Sequence, residues 1–201
     1  LYNARNVVNK AMGGLATAYS DLQSVNFINP ASYTSLQTVT FDVGIENELR
    51  TIINPDRSER SQSNNIIFNY LALGMPIMKD KKGMTKWGLV LGMRPFTRIN
   101  YKISTEERLP GIDSASTLFE GNGGSTKAFI GTAYRIGGLS IGVNAGFLFG
   151  NQNINTERSF RNDSIFYFNS QQQNNTYYSR FSLDGGIQYK LKLSKNNNLR
   201  I

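Results

Sequence analysis

Strict alternation of apolar and polar residues limits what this chain can fold into more than any other feature. In residues 38–50, Val39, Phe41, Val43, Ile45 and Leu49 hold odd positions, with Asn47 the exception, and Thr38, Thr40, Asp42, Gly44, Glu46, Glu48 and Arg50 hold even ones. A strand sends successive side chains to opposite faces, so one face is greasy and the other charged. The pattern returns at Leu139, Ile141, Val143, Ala145, Phe147 and Phe149, and at Phe181, Leu183, Ile187, Tyr189, Leu191 and Leu193. Trp87, Leu89, Leu91 and Met93, then Ile99, Tyr101 and Ile103, face away from Arg94, Arg98, Asn100 and Lys102. Residues 126–136 alternate with the opposite parity, and residues 64–78 read as a strand with a blurred pattern. Six strands result, and Leu199-Arg200-Ile201 starts a seventh.

The links between them point to a class. Long polar links at 53–63, 104–124 and 155–175 alternate with short ones at 79–85, Gly137-Gly138 and 195–198. Strands of about 9–14 residues joined this way are the pattern of an outer-membrane barrel, with short periplasmic turns and long extracellular loops. Trp87, Tyr101, Tyr177, Tyr178 and Tyr189 suit the aromatic girdles of such a barrel. A soluble sandwich or lipocalin-like barrel also alternates, but its strands are shorter. The polar face here carries the Gly, Asn and charged residues of a wet or plugged lumen. Six to seven strands do not close a barrel, so the chain is expected to be the N-terminal part of a longer protein.

Composition removes most chemistry. The chain has no Cys and no His, which excludes thiol and imidazole catalysis, a Ser-His-Asp triad and disulfides. No catalysis, cofactor or metal is expected, since Gly-rich residues 120–124 lack the phosphate-loop context and no EF-hand spacing occurs. The net charge of +8 is scattered, with its densest run at Lys79-Asp80-Lys81-Lys82, and nucleic acid is not an expected partner. The mean hydropathy of −0.36 looks soluble, but an alternating barrel averages the same way.

Residues 11–36 differ from all of this. Gly13-Gly14, Ala16, Ala18, Asp21 and Asn29-Pro30-Ala31 precede the first strand, and the stretch resembles the N-terminal signature of the FadL/TodX outer-membrane transport family. Residues 121–150 are similar to Bacteroidetes-type members. The resemblance implies a transmembrane antiparallel β-barrel of about fourteen strands when complete. Residues 1–36 would be a plug or hatch, and residues 37–201 the N-terminal half of the barrel. The setting would be the bacterial outer membrane, against lipid and lipopolysaccharide. The activity would be passive uptake of a hydrophobic, fatty-acid-like small molecule.

Within that frame Pro95, beside Phe96, either opens the wall for lateral exit or forms an ordinary bulge. Gly74 and Pro76 mark the periplasmic end of the second strand. Arg94, Arg98 and Lys102 either hold an anionic head group, or the lumen charges pair among themselves and with the plug. Ile165, Phe166, Tyr167 and Phe168 form an aromatic patch that either receives a hydrophobic ligand, contacts a partner protein or caps the barrel. The alternative to transport is a non-transporting barrel that serves as an accessory subunit of a secretion or assembly complex, in contact with other envelope proteins.

Overall fold

A computed structural model describes residues 6–53, 55, 60–109, 112–161, 167–194 and 198–201. A short helix α1 (Val7–Ala11) and a 3-10 turn (Pro30–Ser35) precede β1 (Thr40–Ile53), β2 (Arg60–Lys79), β3 (Thr85–Leu109), β4 (Ile112–Ile136), β5 (Leu139–Arg161), β6 (Ser170–Lys192) and β7 (Asn198–Arg200). The seven strands lie side by side in chain order in one antiparallel sheet. The all-β expectation therefore holds. Among the described residues no helix is long and apolar enough to cross a membrane.

The chain divides into two compact units, one of them made of Phe96–Lys127 and Leu148–Arg180 and the other of the remaining described residues. In the larger unit the alternation becomes two chemically different faces. Val90, Phe129, Ala133, Ser140, Asn144 and Gln188 are buried on one face. Phe41, Ile45, Ile141, Phe181 and Leu183 are exposed on the other, Phe181 at 88% and Leu183 at 79%. Such a face would collapse or aggregate in water, and it is what a lipid-facing strand presents.

The blurred pattern of the second strand has a physical cause. Gly44 pairs with Tyr70 and Ile45 with Phe68, so Asn69 is an extra residue in β2. The bulge turns both Asn69 and Tyr70 inward and switches the parity, with Ile67 buried before it and Ala72 after it. A second irregularity lies between Pro76 and Met78. β2 thus continues past Gly74 and Pro76 to Lys79, with the proline accommodated at the irregularity.

The smaller unit corrects the expected long loops. Residues 104–109, 112–124, 155–161 and 170–175 are strand, and β3 and β4 reach 25 residues each, β5 and β6 23 each. A bilayer crossing needs about 9–11. Ladder bonds join backbone groups, so residues polar on both faces continue a strand as well as alternating ones. Side chains join in: Thr97 and Ser125 share a hydroxyl hydrogen bond of 2.7 Å, and Tyr178 donates to Gln152 at 2.6 Å. Lys102 pairs with Glu120 at 2.5 Å. The Gly-rich stretch expected as a flexible loop is also strand. At Gly123 (φ 108°) a side chain would strike the backbone of Asn151, so glycine there permits close strand approach.

Candidate functional site

The N-terminal segment lies on the buried face of the larger unit, and its polar groups explain how. Asp42 on β1 accepts from the Asn6 amide at 2.9 Å, the Ser24 hydroxyl at 3.0 Å, the Val25 N–H at 2.9 Å and the Tyr70 hydroxyl at 2.9 Å. One carboxylate thereby ties two parts of the segment to two strands. Lys10 forms an ion pair with Glu46, whose other oxygen accepts from Asn69 at 2.9 Å. Asn26 closes the segment on itself, donating to the carbonyls of Ala16 at 2.6 Å and Tyr19 at 2.9 Å.

Asn29-Pro30-Ala31 begins the 3-10 turn. Asn29 caps it by accepting from the Ala31 N–H at 3.1 Å, and Pro30 takes the first position, where no amide donor is needed. The Asn29 amide donates to Thr17 O at 2.6 Å and to Ile187 O on β6 at 3.3 Å. Tyr33 is fully buried and donates to Asn144 on β5 at 2.9 Å. Burial raises its pKa well above the ordinary phenol value, opposed by the Asn144 hydrogen bond and the nearby Arg94 charge. Asp21, outside the sheet, shifts the other way. Partial burial opposes ionisation, but hydrogen bonds from the amides of Gln23, Ser24 and Leu22 and from the Tyr19 hydroxyl hold its carboxyl below the ordinary value.

The sheet receives this segment through glycines. A Cβ at Gly88 would lie 2.5 Å from Tyr33 O, one at Gly131 2.6 Å from the Tyr33 ring, and one at Gly74 2.7 Å from Leu36. Gly142 would strike the Pro30 backbone, and Gly186 the Asn29 side chain. Five consecutive strands, β2 to β6, thus leave room for residues 29–36.

Beside the segment is a cavity of about 470 Å3, lined among others by Gln37, Lys82, Arg135, Gln188, Lys190, Lys192 and Arg200. It lies by the short β2–β3 and β4–β5 turns and the β6–β7 pair. Arg135 pairs with Asp80 at 2.9 Å. The Asp80 pKa falls, first through the Met84 amide and then through Lys82 and Arg135. Arg200 donates to the carbonyl and hydroxyl of Ser20.

The residues singled out in the sequence fall in different places. Gly13 and Gly14 follow α1, both at positive φ, with Gly13 exposed. Arg94 lies over the Phe27 ring at 5.0 Å in the larger unit, whereas Arg98 is exposed and Lys102 pairs with Glu120 in the smaller one. Pro95 and Phe96 sit within β3 where the chain passes from one unit to the other. Of the aromatic patch, Ile165 and Phe166 lie outside the described residues. Tyr167 stacks at a tilt on Phe160, 5.4 Å away, and Phe168 is exposed. The reading in which lumen charges pair with the plug included Asp42 without singling it out as the anchor, and nothing in the sequence pointed to Gln188 in the cavity. Asp42 stood out only as an acid facing inward from β1.

The model of the BamG family matches residues 2–201. No curated protein and no solved structure matches the chain. The match overturns the FadL/TodX assignment. Of the residues that carried that resemblance, Asn29-Pro30-Ala31 is explained by packing, since it starts a turn against a glycine bed, a requirement that any segment docked this closely on a sheet would share.

Proposed function

We infer that this chain, which belongs to the BamG family, is an accessory subunit of an outer-membrane assembly complex rather than a transporter of hydrophobic molecules. The observation that carries the reading is the family match across nearly the whole chain. Two structural features support it. The exposed apolar face of the larger unit is suited to lipid, so the protein would span the outer membrane by its strands. Segment 6–36 is bonded to β1, β2, β5 and β6 by side-chain hydrogen bonds, and would fill the barrel interior as a plug. A plug held this firmly suits a structural barrel better than an open conduit. The role is non-catalytic, in keeping with a chain that has no His or Cys. Its contacts would be outer-membrane lipid, lipopolysaccharide and other envelope proteins.

The test is affinity purification of the tagged full-length protein from outer membranes in mild detergent, followed by native mass spectrometry. The expected result is recovery of other envelope proteins of the assembly complex in a fixed ratio. Recovery of this protein alone, from membranes where the complex is otherwise isolated intact, overturns the proposal. A deletion strain should take up labelled fatty acid at the parental rate.

A further inference from the structure

We propose that the cavity at the short-turn end of the larger unit is a docking site for an acidic polypeptide segment. Its lining carries five cations, Lys82, Arg135, Lys190, Lys192 and Arg200, and no carboxylate. Arg135 pairs with Asp80, whose carboxylate also feels the Lys82 charge, while among the described residues Lys190, Lys192 and Arg200 form no ion pair with a carboxylate. Lys190 and Lys192 come from alternate positions of β6 and point to the same side as Gln188.

Gln188 supplies the second observation. Its side chain lines the cavity, the residue is 5% exposed, and its amide nitrogen has no hydrogen-bond partner. A buried amide donor left without a partner is destabilising, so its persistence marks a place where an acceptor belongs. The cations and this amide are all donors. A carboxylate or a peptide carbonyl satisfies them; an apolar or cationic ligand does not.

Size and position narrow the ligand class. The volume of about 470 Å3 is more than one small anion fills. The cations come from the β2–β3 turn and from β4, β6 and β7, so satisfying them takes several carboxylates spaced along a chain. A lipid head group fits poorly, because the cavity is on the face opposite the exposed apolar side chains of β6. An extended acidic segment entering from the turn end meets each condition. That the segment belongs to a partner subunit rests on the function proposed above; the site's chemistry does not.

The experiment uses full-length protein in detergent and a fluorescein-labelled deca-glutamate peptide, read by anisotropy. Wild type is expected to bind saturably, and a Gly-Ser peptide of equal length not at all. The Lys190→Glu/Lys192→Glu double variant changes two exposed positions and is expected to weaken binding about tenfold or more. Gln188→Leu is expected to weaken it about three- to tenfold without changing its salt dependence. Unchanged affinity in the double variant, with sheet content intact by circular dichroism, overturns the proposal. So does displacement of the peptide by inorganic phosphate at equal charge concentration, which would make this a small-anion site. Co-purification is scored separately in the same strains. A wild type that binds peptide but recovers no envelope partner leaves the site standing and removes the subunit role.

Discussion

Asp42→Ala should release the N-terminal segment while leaving the sheet intact. The carboxylate accepts four hydrogen bonds, and the donors differ in what they lose. The Asn6 amide keeps Ser24 Oγ at 2.8 Å and Val25 O at 3.0 Å, and half-buried Ser24 can turn to water. The Val25 N–H and the Tyr70 hydroxyl cannot, since Val25 is 0% and Tyr70 1% exposed. Two stranded buried donors cost about 1–3 kcal/mol each, so about 2–6 kcal/mol in total. A water entering the space of the carboxylate recovers part of this, leaving an expected loss of about 2–4 kcal/mol. The chain has no Cys, so a single Ser32→Cys substitution at a buried site of the segment gives a clean reporter. Its maleimide labelling rate follows the open fraction, and should rise about 30- to 700-fold in the Asp42→Ala background. Circular dichroism should be unchanged. A rise of less than about threefold would refute the view that Asp42 is the anchor.

The glycine bed gives a matched pair for the same reporter. Gly142→Ala puts a methyl group against the Pro30 backbone and should accelerate labelling, whereas Gly185→Ala, with nothing within 4 Å, should be silent. On the opposite face, Leu183→Arg should cost about 2–4 kcal/mol if that face meets the bilayer interior, seen as lost heat resistance of the folded species on gels. Equal stability of Leu183→Arg and wild type would remove the lipid-facing assignment. Proton linkage gives two opposite flanks, both read by segment opening. Asp21 has a lowered pKa, so its stabilisation is present above the ordinary value of 3.8 and is lost as pH falls through its lower folded value. Tyr33 has a raised pKa, so its contribution is full below the ordinary value of 10.0 and is lost as pH climbs above it. Tyr33→Phe should blunt only the alkaline flank.

What was legible in the sequence follows from what alternation can encode. β1, β5 and β6 could be read with correct facing because in each the alternating stretch keeps one apolar, exposed face and one more buried, polar face. β2 was blurred by its bulge at Asn69, since one extra residue inverts every later side chain. The outer parts of β3 to β6 read as loops in the sequence because stretches around Thr105, Gln171 and Asn175 are polar on both faces. Periodicity then carries no signal, although the backbone pairs all the same. The Asn29-Pro30-Ala31 turn was visible as a motif, but its meaning was not. The cavity could not be read at all, because Lys82, Arg135, Gln188 and Arg200 converge only once strand order and the docked segment are known.

The distribution of charge joins the segment to the cavity. The net +8 looked diffuse along the sequence, yet the inward acids are consumed locally. Asp42 and Glu46 on β1 hold the segment, and Asp80 holds Arg135 beside the β2–β3 turn. Asp42 and Glu46 therefore do not reach the β6–β7 end, where Lys190, Lys192 and Arg200 meet. Like charges kept this close repel, and a fold selected for stability alone would dilute them with a carboxylate. Docking the segment by means of β1 acids thus leaves the opposite end of the sheet cationic. Neutralising Asp42 should then have no effect on deca-glutamate affinity unless the segment's release also moves Ser20, the partner of Arg200. If Asp42→Ala both frees the segment and weakens the peptide by more than about threefold, the two sites are coupled through that contact.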